Sequence, residues 1–244
     1  MIATATISVR PSFASLDMPI VATNAVADPI RLDELRAYVP VAQRKLTAGQ
    51  YLHRTGQPFQ ALFLVQAGFL KTSLITEDGR EQVTGFRMRG DLMGVESIGM
   101  RVHTSDAIAL DTSSVWELPY PAILDACSRI PVLQAQLTAA LAAEIRSDRS
   151  WMLALGTLSA EQRVASFLLD VAARHEVLGF SAHHFVLRMS RADIGSFLAL
   201  KHETVTRALT RLSAQGCISV EWREVRILDA DALRETIRHD ARVH

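Results

Sequence analysis

The chain has 244 residues, of which 49% are hydrophobic and 21% charged, and its formal net charge is zero at neutral pH. This composition is typical of a globular protein longer than one domain, and it excludes a disordered or collagen-like chain. A net charge of zero excludes a general attraction to nucleic acid, so such binding would need a local cluster of basic residues.

Residues 1–28 are rich in Ala, Thr, Ser and Pro and show no helical periodicity. We interpret them as a mobile tail, with a short buried strand as the competing interpretation. The segment lacks the basic and apolar regions of a secretory signal, and no apolar run approaches the roughly 20 residues that cross a bilayer. The sequence therefore predicts a cytoplasmic protein without a membrane partner.

Residues 29–128 carry short apolar runs separated by glycines. The runs at 61–75 and 114–120 alternate as half-buried strands do, and their spacing predicts an antiparallel roll or jelly roll. Two histidines in this segment, His53 and His103, are candidate haem ligands.

The next predicted element is a long helix over residues 129–158, in which apolar residues recur every three or four positions. This spacing indicates a coiled-coil seam between two subunits, although a helix packed on its own roll would need the same stripe. Asp148 falls on the seam, where a twofold axis would bring two carboxylates together and oppose association. The predicted dimer-interface residues are Leu137, Leu141, Ile145, Asp148, Met152 and Leu155.

Residues 188–216 have the pattern of two short amphipathic helices joined by a tight turn. Ser190 and Asp193 have the spacing of a capping box at the start of the first helix. The second helix, residues 202–213, would enter the major groove of DNA in a helix-turn-helix motif. Its predicted inward side chains are Val205, Ala208, Leu209 and Leu212.

The opposite face of the second helix carries side chains that suit DNA. Glu203, Thr206 and Arg207 can read cytosine, the thymine methyl group and guanine, respectively. Arg191 and Lys201 suit phosphate contacts. An exposed ion pair between Glu203 and Arg207 is the alternative interpretation. The predicted DNA-binding residues are Arg191, Lys201, His202, Glu203, Thr206 and Arg207.

Two further features support a DNA-binding domain over residues 159–244. Residues 217–228 alternate apolar and polar side chains, which predicts a two-stranded hairpin, the wing of a winged helix. Residues 188–211 contain five basic residues against two acidic ones, and this is a local basic cluster in a neutral chain.

Together these motifs resemble the Crp/Fnr superfamily of bacterial transcription regulators, and ETVTR at 203–207 is similar to its recognition helix. The resemblance spans residues 29–236 and extends to the FNR branch through TEDGREQVTGFRMRGDLMGVESIG at 76–99 and EIRSD at 144–148. It implies an α+β protein with an N-terminal antiparallel β-roll like a cyclic-nucleotide-binding jelly roll, a long dimerisation helix and a C-terminal winged helix-turn-helix domain.

At several positions the resemblance has specific consequences. Ala199 stands where the family's turn usually has glycine, so a left-handed residue there would cost about 1 kcal/mol. Lys201 replaces the usual Ser or Thr cap, and His202 stands where the cyclic-AMP receptor protein has a base-reading arginine. The resemblance therefore implies an FNR-type palindrome with TTGAT half-sites. It also implies that Asp148 makes dimerisation conditional.

Few residues of this chain match the residues that bind cofactors in the family. Nucleotide-binding members use an arginine beside Ser or Thr for the phosphate, but HTSDA at 103–107 has no arginine and contains Asp106. An iron–sulfur cluster of the FNR type needs four cysteine thiolates, whereas the chain contains only Cys127 and Cys217, and Trp116 replaces a cysteine ligand. We expect both cysteines to be small buried side chains, and we expect no cofactor or metal.

The sequence predicts a homodimeric, cluster-free transcription activator that binds double-stranded DNA and RNA polymerase. The loop at 75–80 resembles the FNR loop that contacts the polymerase sigma factor, with Arg80 in place of an acidic residue. An effector-dependent regulator with haem or a nucleotide in the roll is the alternative. No catalytic constellation is present, so we do not expect an enzyme.

Overall fold

A computed structural model describes residues 35–239, with side chains up to Arg238. The predicted tail, residues 1–28, lies outside this range. The chain divides into two compact units, and the boundary falls between Glu144 and Ile145, within the longest helix. Within residues 35–239, no helix is both long and apolar enough to cross a membrane.

The strands of the first unit form two four-stranded antiparallel sheets, with the strand orders β1-β8-β3-β6 and β2-β7-β4-β5. Neighbouring strands are mostly distant in sequence, as in a jelly roll. The predicted antiparallel roll is therefore confirmed. The strands are β1 (Ala42–Leu46), β2 (Tyr51–His53), β3 (Ala61–Ala67), β4 (Leu70–Ile75), β5 (Glu81–Arg87), β6 (Leu92–Met93), β7 (Asp106–Ala109) and β8 (Ser113–Pro119).

The run at 61–75 differs from its prediction, because β3 is buried on both faces. Phe63 belongs to the core that both sheets share, whereas Leu62 belongs to a second core. A strand buried on both sides reads as a continuous apolar run, so the half-buried alternation was wrong for β3. The run turns at Gly68, where a Cβ atom would lie 2.3 Å from Ser113 Oγ.

Two helices follow the strands of the roll, α1 (Tyr120–Arg129) and α2 (Pro131–Thr157). Prolines fit the first turn of a helix, because the N–H groups there have no intrahelical partner, and α2 begins with one. Ile123 and Cys127 of α1 pack in the second core together with Trp116 and Leu62. The predicted long helix is confirmed, since α2 has 27 residues.

The second unit also contains a three-stranded sheet with the order β10-β11-β9. The hairpin of β10 and β11 is the predicted wing, but the third strand was missed. His184 begins that strand. The elements are α3 (Ala160–Val177), β9 (His184–Val186), α4 (Arg191–Leu198), α5 (His202–Ala214), β10 (Ile218–Glu221), β11 (Glu224–Ile227) and α6 (Ala230–His239).

Candidate nucleic-acid interface

The helix-turn-helix begins with the predicted capping box. The backbone N–H of Asp193 donates to Ser190 Oγ (3.0 Å), and the backbone N–H of Ser190 donates to Asp193 Oδ2 (2.9 Å). Helix α4 ends at Ala199, which adopts the left-handed conformation with φ 52° and ψ 45°. The turn therefore has the geometry that glycine favours, although its residue is alanine.

The turn between α4 and α5 depends on two residues that the sequence reasoning did not identify. A Cβ atom on Gly195 would lie 2.6 Å from the carbonyl oxygen of Leu200, so only glycine permits this approach. Arg163 of α3 donates through Nη1 to the carbonyl of Leu198 (3.1 Å). A glycine inside a helical pattern was the available signal for close backbone contact. Arg163 gave no signal, since its partner is 35 residues away.

Helix α5 separates its apolar and polar faces as predicted. The four predicted inward residues, Val205, Ala208, Leu209 and Leu212, are all buried. Lys201 is the N-cap, and its side chain makes no capping hydrogen bond. The predicted DNA-facing residues around the start of the helix are exposed, namely Lys201, His202, Glu203, Thr206 and Arg207.

The exposed side chains of α5 make local contacts that leave most of their polar groups accessible. Glu203 lies 3.3 Å from Nε2 of His202, and Arg207 donates to Thr204 Oγ1 (3.3 Å). The ion pair between Glu203 and Arg207, which was the alternative interpretation, is therefore not formed among the described residues. Thr206 donates its hydroxyl to the carbonyl of His202 (3.0 Å).

The wing is joined to the start of α4 by arginine side chains. Arg191 donates through Nη2 to the carbonyl of Trp222 (3.0 Å), and Arg223 donates to the carbonyl of Arg188 (3.3 Å). Burial, followed by the charge of Arg223, lowers the pKa of Arg191 from its usual value. Arg191 is thus half-buried and positions the wing, and its predicted phosphate contact stays a prediction.

Three of the predicted dimer residues are exposed on α2, whereas Leu137 packs against the second core of the roll. Ile145 and Met152 expose 52% and 72% of their surface, Asp148 is exposed, and the three leucines of the stripe are half-buried. The fully buried side of α2 is an adjacent face, so packing within the chain does not explain the exposed part of the stripe. That buried side includes Leu133, Gln136, Ala143, Ser147, Trp151 and Ala154.

The roll contains a buried pair of imidazoles, His53 and His103, whose ring centroids lie 3.8 Å apart. His53 donates through Nδ1 to the carbonyl of Ser105 (3.1 Å). Nε2 of His53 and Nδ1 of His103 have no hydrogen-bond partner. Burial, and then the charge of His103, lowers the pKa of His53 from 6.5 to about 4, so the pair is neutral near pH 7.

The polar residues around this pair do not fit an anionic nucleotide. Ser105 donates its hydroxyl to Glu96 Oε1 (2.6 Å), and the backbone N–H of Thr55 donates to Asp106 Oδ1 (2.7 Å). A phosphate entering here would meet two carboxylates and would compete with existing hydrogen bonds, which is unfavourable in a buried site.

The residues also do not fit an iron–sulfur cluster of the FNR type. Cys127 and Cys217 are buried and belong to different units, and burial raises the pKa of the Cys127 thiol. Trp116 fills the second core of the roll. Within the described residues, no three His, Cys, Asp or Glu side chains lie close enough together to hold a metal ion.

A bidentate ion pair fixes the N-terminal half of α2 to the last residue of β5. Arg87 donates through Nη1 to Glu144 Oε2 (3.1 Å) and through Nη2 to Glu144 Oε1 (2.6 Å). The two side chains are only 7% and 19% exposed. Glu144 therefore lies on a side of α2 that packs against the roll, and not on its solvent-facing side.

Comparison with known proteins gives matches to both units. Residues 43–129 match the family described as cyclic nucleotide-binding domain, and residues 162–236 match the Crp-like helix-turn-helix domain. The transcriptional activator protein Anr of Pseudomonas aeruginosa is 40% identical over 219 residues, which cover 90% of this chain and 87% of that protein. The fumarate and nitrate reduction regulatory protein of Escherichia coli is 36% identical, over 82% of this chain and 80% of that protein.

Solved structures show the same architecture. FixK2 from Bradyrhizobium japonicum superposes with a TM-score of 0.74 at 29% sequence identity, over 80% of this chain and 96% of that chain. The sequence matches cover most of the chain, and the protein names that they carry are those of transcription regulators, not of enzymes. The chain belongs to the Crp/Fnr family of transcription regulators.

Proposed function

We propose that this regulator is a homodimer that binds a palindrome of TTGAT and ATCAA half-sites through the start of α5, without an iron–sulfur cluster. The observation that carries the proposal is the exposed set Glu203, Thr206 and Arg207 above the buried residues of the same helix. A carboxylate, a methyl group and a guanidinium at neighbouring positions can distinguish cytosine, thymine and guanine in a major groove.

The exposed residues of the stripe on α2, Ile145, Asp148 and Met152, support the homodimer. An apolar face on a long helix is stabilised when a second helix covers it, and spacings of three and four residues suit a coiled coil. A twofold axis along α2 would present two recognition helices to major grooves on one face of the DNA. The half-sites should therefore lie about 34 to 36 Å apart, one helical turn of DNA.

We also propose that the protein acts in the cytoplasm as an activator that contacts RNA polymerase. Anr of Pseudomonas aeruginosa is named a transcriptional activator, and its similarity to this chain extends over both units. The hairpin loop of the roll places Arg80 Nε 2.6 Å from Asp78, and Asp78 also accepts from Thr76. Both side chains of the pair remain exposed for a partner.

The DNA readout is tested with Arg207→Ala in equilibrium binding to the palindrome and to scrambled DNA. Loss of a bidentate guanine contact should weaken specific binding by about 1 to 3 kcal/mol and relax specificity at that base pair. Arg211→Ala, one turn further along the exposed side of α5, is the matched control and should leave the specificity ratio unchanged. An unchanged ratio for Arg207→Ala would show that the assigned readout is wrong.

A second candidate function is a regulator whose roll binds haem as an obligatory effector. The unpartnered ring nitrogens of His53 and His103 favour it, because imidazole nitrogen is a common haem ligand. An absorption spectrum of protein purified with a haem supply distinguishes the two candidates. A stoichiometric Soret band that His103→Ala abolishes would support this second candidate. A spectrum without the band would leave the first candidate, a regulator without haem, in place.

A further inference from the structure

Trp222 occupies an unusual position at the tip of the wing. It is the first of the two residues that connect β10 to β11, and 97% of its surface is exposed. The other two tryptophans of the chain, Trp116 and Trp151, are 4% and 8% exposed. The hairpin predicted over residues 217–228 did not locate its turn, and the structure places Trp222 in that turn, beyond the sheet.

Two features make this placement unfavourable for the isolated protein. Trp222 has a φ of 56°, in the left-handed region where a side chain is disfavoured and hairpin turns prefer Gly, Asn or Asp. Its indole also exposes a large aromatic surface to water. Packing within the described residues compensates neither the strained backbone nor the exposed indole, since the side chain is almost wholly exposed. Contact with an external partner would compensate both costs.

The tip is held in place by the helix-turn-helix itself. The carbonyl of Trp222 accepts from Arg191 (3.0 Å), and the next residue, Arg223, donates to the carbonyl of Arg188 (3.3 Å). Both partners lie at or just before the start of α4. The indole is therefore presented by the same motif that presents the recognition helix.

The charge near the tip favours a polyanion. Four arginines, Arg188, Arg191, Arg223 and Arg226, lie in or beside the wing, against two glutamates in its strands. One of the two carboxylates, that of Glu224, is already engaged by Arg226 (3.0 Å) and His184 (2.5 Å). The side chains around the tip therefore carry a net positive charge.

We infer that Trp222 is a second DNA-contacting element, whose indole packs against deoxyribose at the minor-groove edge beside each half-site. The inference rests on the proposed function, because the recognition helix must first place the wing on DNA. Apolar side chains of other proteins enter the minor groove and contact its base steps, and the indole N–H can donate to a phosphate oxygen. Such a contact adds affinity without reading sequence.

Trp222→Gly tests this contact without a folding penalty, because glycine adopts a positive φ readily. The variant should unfold at the same temperature as the wild type or higher. It should bind the palindrome and scrambled DNA about tenfold more weakly, with an unchanged ratio between them. Leu228→Ser, an exposed apolar residue just beyond the other end of β11, is the control and should bind as the wild type does.

Acrylamide quenching of tryptophan fluorescence gives an independent readout. Because Trp116 and Trp151 are buried, the accessible emission belongs to Trp222, and DNA should protect it. Wild-type affinity in Trp222→Gly, or quenching that DNA does not change, would overturn the inference. Reduced transcription with unchanged DNA affinity would also overturn it, by assigning the indole to a protein partner. If the wild type did not prefer the palindrome, the proposed function would fail, while the affinity and quenching results would still decide the wing contact.

Discussion

The winged-helix unit and the β-roll use their polar side chains in opposite ways. Glu203, Thr206 and Arg207 are exposed at the start of α5, whereas Ser105 and Asp106 are buried inside the roll and hydrogen-bonded there. Polar groups left open to solvent are available to an external partner, and polar groups bonded to each other stabilise the fold around them. The difference indicates that the start of α5 is open to an external partner, whereas the polar groups inside the roll are already engaged by the chain itself.

The largest expected effect comes from breaking the buried ion pair of the roll. Arg87→Met removes the bidentate donor from the carboxylate of Glu144 in a largely buried site, and this should lower the free energy of unfolding by about 3 to 5 kcal/mol. Urea denaturation measures the change. The double variant with Glu144→Met should recover most of the stability, because it removes both charges and keeps apolar volume. A single variant as stable as the wild type would show that the roll does not depend on this pair.

The second effect is a pH dependence of roll stability. The pKa of His53 is about 4 in the folded protein and 6.5 ordinarily, so the unfolded chain binds its proton first as the pH falls. Stability should therefore decrease between pH 6.5 and about 4, by on the order of 3 kcal/mol. Below both pKa values the loss of stability is complete, and above pH 6.5 no stability is lost.

Urea titrations across this range should show a flatter profile for His53→Phe, which keeps a ring against His103 but cannot be protonated. The stability of His53→Phe at neutral pH should differ from that of the wild type for another reason, since the hydrogen bond to the Ser105 carbonyl is lost. An equally steep profile for His53→Phe would locate the acid sensitivity elsewhere in the chain.

The predicted dimerisation helix, α2, should give an intermediate effect. Asp148→Ala removes a carboxylate from the predicted seam and adds apolar contact, so it should strengthen the dimer by about 1 to 2 kcal/mol, roughly five- to thirty-fold in dissociation constant. Sedimentation over a dilution series measures it. Arg149→Ala, on an exposed face beside the stripe, is a suitable control, whereas Glu144→Ala is not, because it also breaks the pair with Arg87. A weaker dimer in Asp148→Ala would indicate a hydrogen-bonded partner for this carboxylate across the interface.

The smallest expected effect concerns the winged-helix unit, whose polar side chains are exposed. Ala199→Gly places glycine where the turn already has a φ of 52°, and it should raise the free energy of unfolding of the winged-helix unit by about 1 kcal/mol. Thermal unfolding measures the gain, and DNA affinity should stay the same, because the side chain is not part of the reading face. A loss of stability would mean that the flexibility of glycine in the unfolded chain outweighs the relief of strain.

Local sequence signals predicted the DNA-binding motif well. The capping box of Ser190 and Asp193, the inward set that includes Val205 and Leu209, and the left-handed strain at Ala199 all involve residues a few positions apart. Interactions over such distances are governed by helix geometry, which the sequence displays directly.

Features that depend on long-range contacts were not predictable in this way. Glu144 is paired with Arg87, 57 residues away in the chain, and its helical position gave no sign of that partner. The strand beginning at His184 has three residues, too few to show a period. Trp222 lies in a turn without glycine or asparagine, so no residue marked the place where the alternation stops.

The burial of both thiols has a practical consequence for measuring how this protein opens. Only a thiolate that reaches solvent reacts quickly with disulfide reagents or alkylating agents, and Cys127 and Cys217 are both buried. Since the first lies in the roll unit and the second at the start of the wing, each sulfur becomes reactive only when its own unit loosens. Labelling at the two cysteines therefore reports the local opening of the two units separately, with no engineered probe.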